Sequence, residues 1–302
     1  MSSGRVAVTG ANSAVGRALL ERLAGEETLR IAAGVRRPQA LAGLPQSPRI
    51  AARLIDYDNS DSLRALLAGA GCVVHLAGIL FESRRTRYHP ANVGTTLALV
   101  EAARVAGVRR VVFVSSLGAD PGSRNGYFRS KGEAEELVAT AGMEAAIIRT
   151  PLLLGSDTAG GRALLRAASQ RSIRALGGGA HLLRPLDVDD LCSALLAGCR
   201  QDETGVATYE LVGPTELSYR ELLQRTARLL GNDLVVGSTP IWLAGLGARL
   251  AGLVRTGGLT PAVIEVITSD ERIERNADRD LGISLTPLSA TLAKLVDAAG
   301  RA

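Results

Sequence analysis

A chain of 302 residues, 46% hydrophobic and 22% charged, has the composition of an ordered globular protein with one large α/β domain and a smaller appendage, or two ordinary domains. Its net charge of +5 comes from 35 basic and 30 acidic side chains scattered in short pairs such as Arg36-Arg37, Arg84-Arg85 and Arg109-Arg110. That pattern excludes a dedicated basic face, so nucleic acid is not an expected partner. Cys72, Cys192 and Cys199 lack metal-ligand spacing, so no metal site is expected, and buried thiols simply pack.

No apolar leader precedes the Gly-rich turn at residue 10, and the expected location is cytoplasmic and reducing. The longest apolar stretch, Ile241 to Val254, is interrupted by Arg249 and is too short to span a bilayer. A helix after Pro240 of that length reads as core, with a membrane or partner surface as the alternative. Lys131 and Lys294 are the only lysines beside 33 arginines, so each lysine asks for a reason.

The first half alternates strand and helix. Val6 to Thr9 reads as a strand and Ala14 to Ala24 as a helix, followed by strands at Ile31 to Val35 and Ile50 to Ile55. A helix over 61 to 68, a strand from Cys72 to Leu76, an Ala-rich helix from Thr95 to Ala106 and a strand from Val111 to Ser115 continue the series. Ala134 to Ala141 reads helical and Ala145 to Ile148 closes it. Apolar strands without alternation, joined by crossover helices, are what a parallel sheet covered on both faces requires, so the expected fold is a doubly wound α/β sheet. Beyond Pro151 the pattern loosens, and from Pro214 most segments read helical. The expected division assigns 1–152 and 185–213 to the sheet domain, and 153–184 and 214–302 to a smaller, mostly helical domain on the substrate side.

Thr9-Gly10-Ala11-Asn12-Ser13-Ala14-Val15-Gly16 lies between the first strand and the first helix, the context a dinucleotide-binding turn needs. Gly10 would permit the tight turn and Gly16 the close packing of helix on sheet. Asn12, Ser13, Ala14 and Val15 would face the pyrophosphate at the positive end of the helix. An ordinary strand–helix turn is the neutral alternative. About 20 residues on, where an NAD site places an acid against the ribose 2′-hydroxyl, stands Arg36. Arg36 and Arg37 could clamp the 2′-phosphate of NADP with charge-assisted bonds, so NADP(H) is the expected cofactor and NAD(H) the alternative; both could also be plain solvated arginines.

Tyr127-Phe128-Arg129-Ser130-Lys131 puts a phenol and an ammonium one helical turn apart on the same face, a rare pairing in a chain with five Tyr and two Lys. For the phenol to act as a base near neutrality its pKa must fall by about three units from 10, worth about 4 kcal/mol, and a neighbouring Lys and an oxidised nicotinamide are cations able to supply that.

These motifs resemble the short-chain dehydrogenase/reductase superfamily in its extended and atypical branches, where the turn reads TGxxGxxG; Ser13 stands in place of the middle glycine. The resemblance implies a Rossmann sheet with Tyr127 exchanging a proton with a hydroxyl or carbonyl and Lys131 also binding the nicotinamide ribose. It implies that Asp56 and its neighbour Tyr57 hold the adenine. Val73-Val74-His75-Leu76-Ala77-Gly78 is similar to the VxHLAG strand end whose backbone, here Leu76, Ala77 and Gly78, borders the cofactor; His75 itself reads as a packed core histidine. Asn92 matches a position for a proton relay or for helix packing, and Ser116 is the candidate third catalytic residue, although Leu117 stands where sugar-nucleotide epimerases carry theirs. Arg149-Thr150-Pro151 with Gly155 resembles the family's RPxxxxG segment, which puts Pro151 beside the cofactor, and Arg184 to Asp190 resembles the segment that returns the chain to the sheet.

The resemblance covers nearly the whole chain and is closest to NmrA-like proteins and to bacterial relatives of the NADPH-binding accessory subunit of respiratory complex I. It implies an NAD(P)H-dependent oxidoreductase acting on a small carbonyl or alcohol. A non-catalytic NADP(H)-binding sensor or assembly protein is the alternative, and a sugar-nucleotide epimerase or dehydratase a second one. Substrate identity and oligomeric state are not legible in the sequence.

Overall fold

The computed structural model describes residues 4–200, 204–243 and 260–301. Its first half runs β1 (Gly4–Thr9), α1 (Ala14–Ala24), β2 (Leu29–Val35), β3 (Ile50–Leu54), α2 (Ser60–Leu67), β4 (Cys72–His75), α3 (Thr95–Val105), β5 (Arg110–Ser116), α4 (Gly126–Ala139) and β6 (Glu144–Thr150). The second half adds β7 (Leu153–Leu154), α5 (Ala159–Ala168), β8 (Ser172–Leu176), β9 (Leu182–Leu183), β10 (Leu186–Asp187), α6 (Val188–Arg200) and β11 (Val206–Glu210). Then come β12 (Leu217–Ser218), α7 (Tyr219–Leu229), β13 (Val235–Thr239), α8 (Pro261–Thr268) and α9 (Leu288–Gly300).

Seven parallel strands form the central sheet in the order β11-β6-β5-β4-β1-β2-β3. Val6 and Val8 of β1 pack with Leu19, Leu20 and Leu23 of α1 and with α6 on one face, whereas Ala7 packs with α2, α3 and α4 on the other. This period of two, apolar on both sides, is why β1 reads as a continuous hydrophobic run. Each fully buried leucine contributes about 1.5–3 kcal/mol. Strand order reverses between β1 and β4, so the crevice beyond their carboxyl ends is the place where an open α/β sheet binds its ligands.

A third core unites Leu154, Leu164, Leu183, Leu222, Leu223, Leu288, Leu292 and Leu295, drawn from β7, α5, β9, α7 and α9. Besides helices, the described residues of this part hold three strand pairs: β7 with β10, β9 with β12, and the five-residue parallel pair β8 with β13. The second lysine finds its reason here. Lys294 on α9 reaches Asp187 at 2.7 Å and Asp189 at 2.8 Å, and Thr291 donates to the same Asp187 at 2.8 Å. Asp190 accepts from the backbone N–H and hydroxyl of Thr286, both at 2.7 Å. The buried Asp187 would keep only Thr291 among these partners in Lys294→Met. Because the lysine is half exposed, the expected loss is about 1–2 kcal/mol of unfolding free energy, read by urea denaturation.

Of the apolar stretch Ile241 to Val254, residues 244 onward lie outside the described residues. Ile241, Trp242 and Leu243 are helical and exposed, Trp242 at 72%. Among the described residues no helix is long and apolar enough to cross a membrane.

Candidate active site

The glycine turn closes against the end of β4. Gly10 has φ +66°, and a Cβ there would lie 2.9 Å from the backbone nitrogen of Ala77; a Cβ on Gly16 would lie 2.6 Å from the carbonyl oxygens of Gly10 and Ala11. Both positions therefore demand glycine. Ser13, in the middle-glycine place, caps α1: its Oγ accepts from Gly16 N at 3.0 Å, which leaves the hydroxyl proton free to be donated outward. The first turn of α1 carries no acidic side chain. Asn12 is exposed with Ala14 and Val15 half-buried beside it, and its carbonyl accepts from Arg17 at 2.8 Å, while the same guanidinium pairs with Asp157 at 2.8 Å. The arginine thus ties the turn to the segment after β7. A cradle without room for side chains at its glycines, with an O–H donor and a helix N-terminus and no opposing carboxylate in that first turn, fits a pyrophosphate.

Arg36 and Arg37 follow β2 and are exposed. Asp56 lies just past β3, its carboxylate accepting from Asp58 N at 3.0 Å and its backbone held by Ser62. The ring of Tyr57 turns inward, with its centroid 6.3 Å from that of His75. Burial pushes its phenol up to about 12, against the opposing effects of Thr9 and the Arg36 charge. His75 is fully buried between Thr9 at 2.6 Å and Thr96 at 3.2 Å, and burial, aided by the Lys131 charge, drives its pKa down to about 3. It is a packed core histidine, as its strand position predicts.

The helix α4 starts at Gly126, capped by Asn125, whose Oδ1 accepts from Tyr127 N at 3.0 Å. Asn125 also donates to the Ala262 carbonyl and the Glu265 carboxylate of α8, both at 3.0 Å. Ser116, the last residue of β5, donates its hydroxyl to Leu117 O at 3.1 Å and is the hydrogen-bonding neighbour that acts on the Tyr127 phenol. Burial raises the phenol's pKa and the Ser116 bond opposes that rise. Lys131 donates to Val114 O at 2.7 Å and lies 4.3 Å above the Phe113 ring. Burial pushes its ammonium down to about 8, with the Glu135 carboxylate acting in the other direction.

Asn92 is buried in a wide π-type turn spanning His89–Gly94. Its Oδ1 accepts from Ile79 N at 2.8 Å, and its Nδ2 donates to Ser130 Oγ at 2.9 Å and Ile79 O at 3.3 Å. The side chain therefore holds the backbone that follows Leu76, Ala77 and Gly78. A Cβ on Gly78 would stand 3.0 Å from Asn92 Oδ1. Pro151 follows β6, and the next amide, Leu152 N, donates to Glu271 at 2.6 Å.

Three neighbours take roles here that the sequence alone does not give them. Tyr88 packs its ring 5.8 Å from that of Tyr127 and donates to Leu80 O at 3.0 Å; burial, then the charge of Glu82, pushes its phenol up to about 12. Its position four residues before Asn92, on one turn, is the signal that would have found it. Glu271 accepts from both Leu152 N and Arg184 N, at 2.6 and 2.7 Å, and burial lifts its carboxyl to about 7 against those two bonds. Asn125 is the third, the link from the start of α4 to α8.

The sequence pattern of the NAD(P)H-binding family matches residues 10–174. The mitochondrial NADH dehydrogenase (ubiquinone) 1 alpha subcomplex subunit 9 of Arabidopsis thaliana is 32% identical over 233 residues, covering 74% of this chain and 57% of that protein. This chain thus spans little more than half the length of that relative. The ceramide reductase of Caulobacter vibrioides is 27% identical over 228 residues, 76% of this chain and 71% of that protein. Among solved structures, MoeE5 in complex with UDP-glucose and NAD superposes with a TM-score of 0.77 over 99% of both chains at 24% identity, a likeness of fold. With more than half of its length matched, the chain belongs to the NAD(P)H-binding family, and its fold is a Rossmann fold.

Proposed function

We propose that this protein is an NADP(H)-dependent oxidoreductase that reduces a carbonyl group on a small molecule, with Tyr127 as the proton donor. The observations that carry this reading are a Ser116 hydroxyl that acts on the Tyr127 phenol and a Lys131 ammonium held on Val114 O, both towards the end of β5 and beside the β1–β4 crevice. A bound nicotinamide would supply the hydride. The chain's own residues do the rest. The amides and Ser13 hydroxyl of the Gly10–Gly16 turn bind the pyrophosphate, Asp56 the adenine side, and Arg36 with Arg37 the 2′-phosphate. Leu76, Ala77, Gly78 and Pro151 border the nicotinamide pocket.

The raised pKa of Tyr127 keeps its phenol protonated at neutral pH, the form that gives a proton to a developing alkoxide. The negative charge then left on the phenol oxygen is stabilised by the Lys131 ammonium and the Ser116 hydroxyl. Reduction is accordingly the favoured direction near neutrality. Lys131 is charged below about 8 and neutral above it. The expected pH–rate profile for carbonyl reduction is flat to about pH 8 and then falls about tenfold per pH unit, and Lys131→Met lowers the plateau and removes that limb.

The similarity to a subunit of NADH dehydrogenase favours a second reading, a protein that binds NADP(H) and assembles with partners without turnover. A reducing, cytoplasmic location belongs to the enzyme reading and accords with three free thiols. The test is NADPH oxidation by purified protein over a panel of aldehydes, short ketones and long-chain ketones, the last included because one relative is named for reducing a ceramide. Carbonyl-dependent oxidation supports the enzyme. Tight NADPH binding with a silent panel supports the second reading instead.

A further inference from the structure

We infer that His75 is a positioning residue for Tyr127: a neutral imidazole, fixed as its Nε2–H tautomer, that couples the end of β1 to the turn carrying Asn92. This rests on the reading of Tyr127 as proton donor, and one arm of the test below is independent of that reading.

The proton positions follow from what each group can donate. The main-chain oxygen of Asn92 can only accept, so Thr96 gives it its single hydroxyl proton, at 2.6 Å. The Thr96 oxygen, 3.2 Å from Nε2 of His75, is then the acceptor, and the ring proton sits on Nε2. The ring is neutral: it is fully buried, with the Lys131 cation near and Phe113 stacked on it at 5.7 Å. Nδ1 therefore carries a lone pair and takes the hydroxyl proton of Thr9 at 2.6 Å.

Beyond Asn92 the path continues to the reaction centre. Thr95 and Thr96 take the carbonyls of Ala91 and Asn92 with their hydroxyls, at 2.7 and 2.6 Å, in the stretch where the turn widens to π geometry. The Asn92 carboxamide, so aimed, holds Ile79 and Ser130, and Ser130 donates to the main-chain oxygen of Tyr127 at 2.8 Å. Hydrogen bonds thus run from Thr9 on β1 to the backbone of Tyr127 on α4, and each hydroxyl proton has one destination. Only one tautomer of His75 satisfies them all.

The test uses the whole protein. In 15N-histidine NMR, with the His75 signals assigned by their loss in His75→Gln, Nε2 is expected protonated and Nδ1 bare, unchanged across about pH 5 to 9. A reversed tautomer or a titration in that range overturns the inference. Gln at 75 reaches the place of Nε2 with an amide donor, Asn reaches only the place of Nδ1, and Leu supplies neither. Amide exchange at Ile79, whose N–H rests on Asn92 Oδ1, is expected to stay near wild type in His75→Gln and to quicken about tenfold or more in His75→Asn and His75→Leu, with NADPH binding retained in all three as the check on folding. The kcat of carbonyl reduction should follow the same order. Equal exchange in the Gln and Asn variants removes the directional role. A silent wild type with the expected exchange pattern retires the enzyme reading and leaves the Asn92 coupling in place.

Discussion

Tyr127→Phe is expected to cut the kcat of carbonyl reduction by about 10²–10⁴-fold while changing NADPH affinity little, because general acid catalysis by a positioned side chain is worth that much. The phenyl ring keeps the packing against Tyr88 and Phe128, whose centroids lie 5.8 and 5.7 Å away, so the site keeps its shape. What goes is the proton donor and the bond with Ser116. Ser116→Ala, by contrast, removes one stabilising hydroxyl from the phenolate and leaves the donor, so a smaller loss is expected. Steady-state kinetics with nucleotide titrations on both variants distinguish the two roles, and an unchanged kcat in Tyr127→Phe would remove Tyr127 from the reaction.

The second large effect is expected at Arg36. Arg36→Glu should lower NADPH affinity and raise that for NADH, turning the preference by about 10–100-fold, since each hydrogen bond to a charged group contributes about 1.5–3 kcal/mol. The side chain is exposed directly after β2, close enough for its charge to act on the Tyr57 phenol, and a carboxylate there would repel a 2′-phosphate and accept from a 2′-hydroxyl. Nucleotide fluorescence titrations read both affinities, and a preference unchanged in Arg36→Glu assigns the 2′-phosphate to other residues.

What the sequence made legible was local. The apolar runs of β1, β2, β4 and β5 and the helices between them follow from periodicity, and the parallel sheet follows from them. Gly10 and Gly16 announce the tight turn, and the spacing of Tyr127 and Lys131 announces one helix face, because each depends on residues within one or two turns. What stayed hidden joins distant segments: Asn125 to Glu265, Glu271 to Leu152 and Arg184, Lys294 to Asp187 and Asp189. Such bonds have no period. The pair β8 with β13 is hidden for the same reason, since Ser172–Leu176 and Val235–Thr239 are short and become strands only on each other. Ser13 illustrates a third kind of limit. Against the expected glycine it reads as a side chain that crowds the pyrophosphate or donates a hydroxyl to it, and only the bond from Gly16 N identifies it as the cap of α1.

The most direct measurement is mass spectrometry of the product formed when the wild-type protein is given NADPH deuterated at the transferable position together with a carbonyl compound that stimulates its oxidation. The account predicts an alcohol heavier by one deuterium, absent with Tyr127→Phe. A protein that binds NADPH tightly but yields no labelled alcohol from any carbonyl in the panel contradicts it.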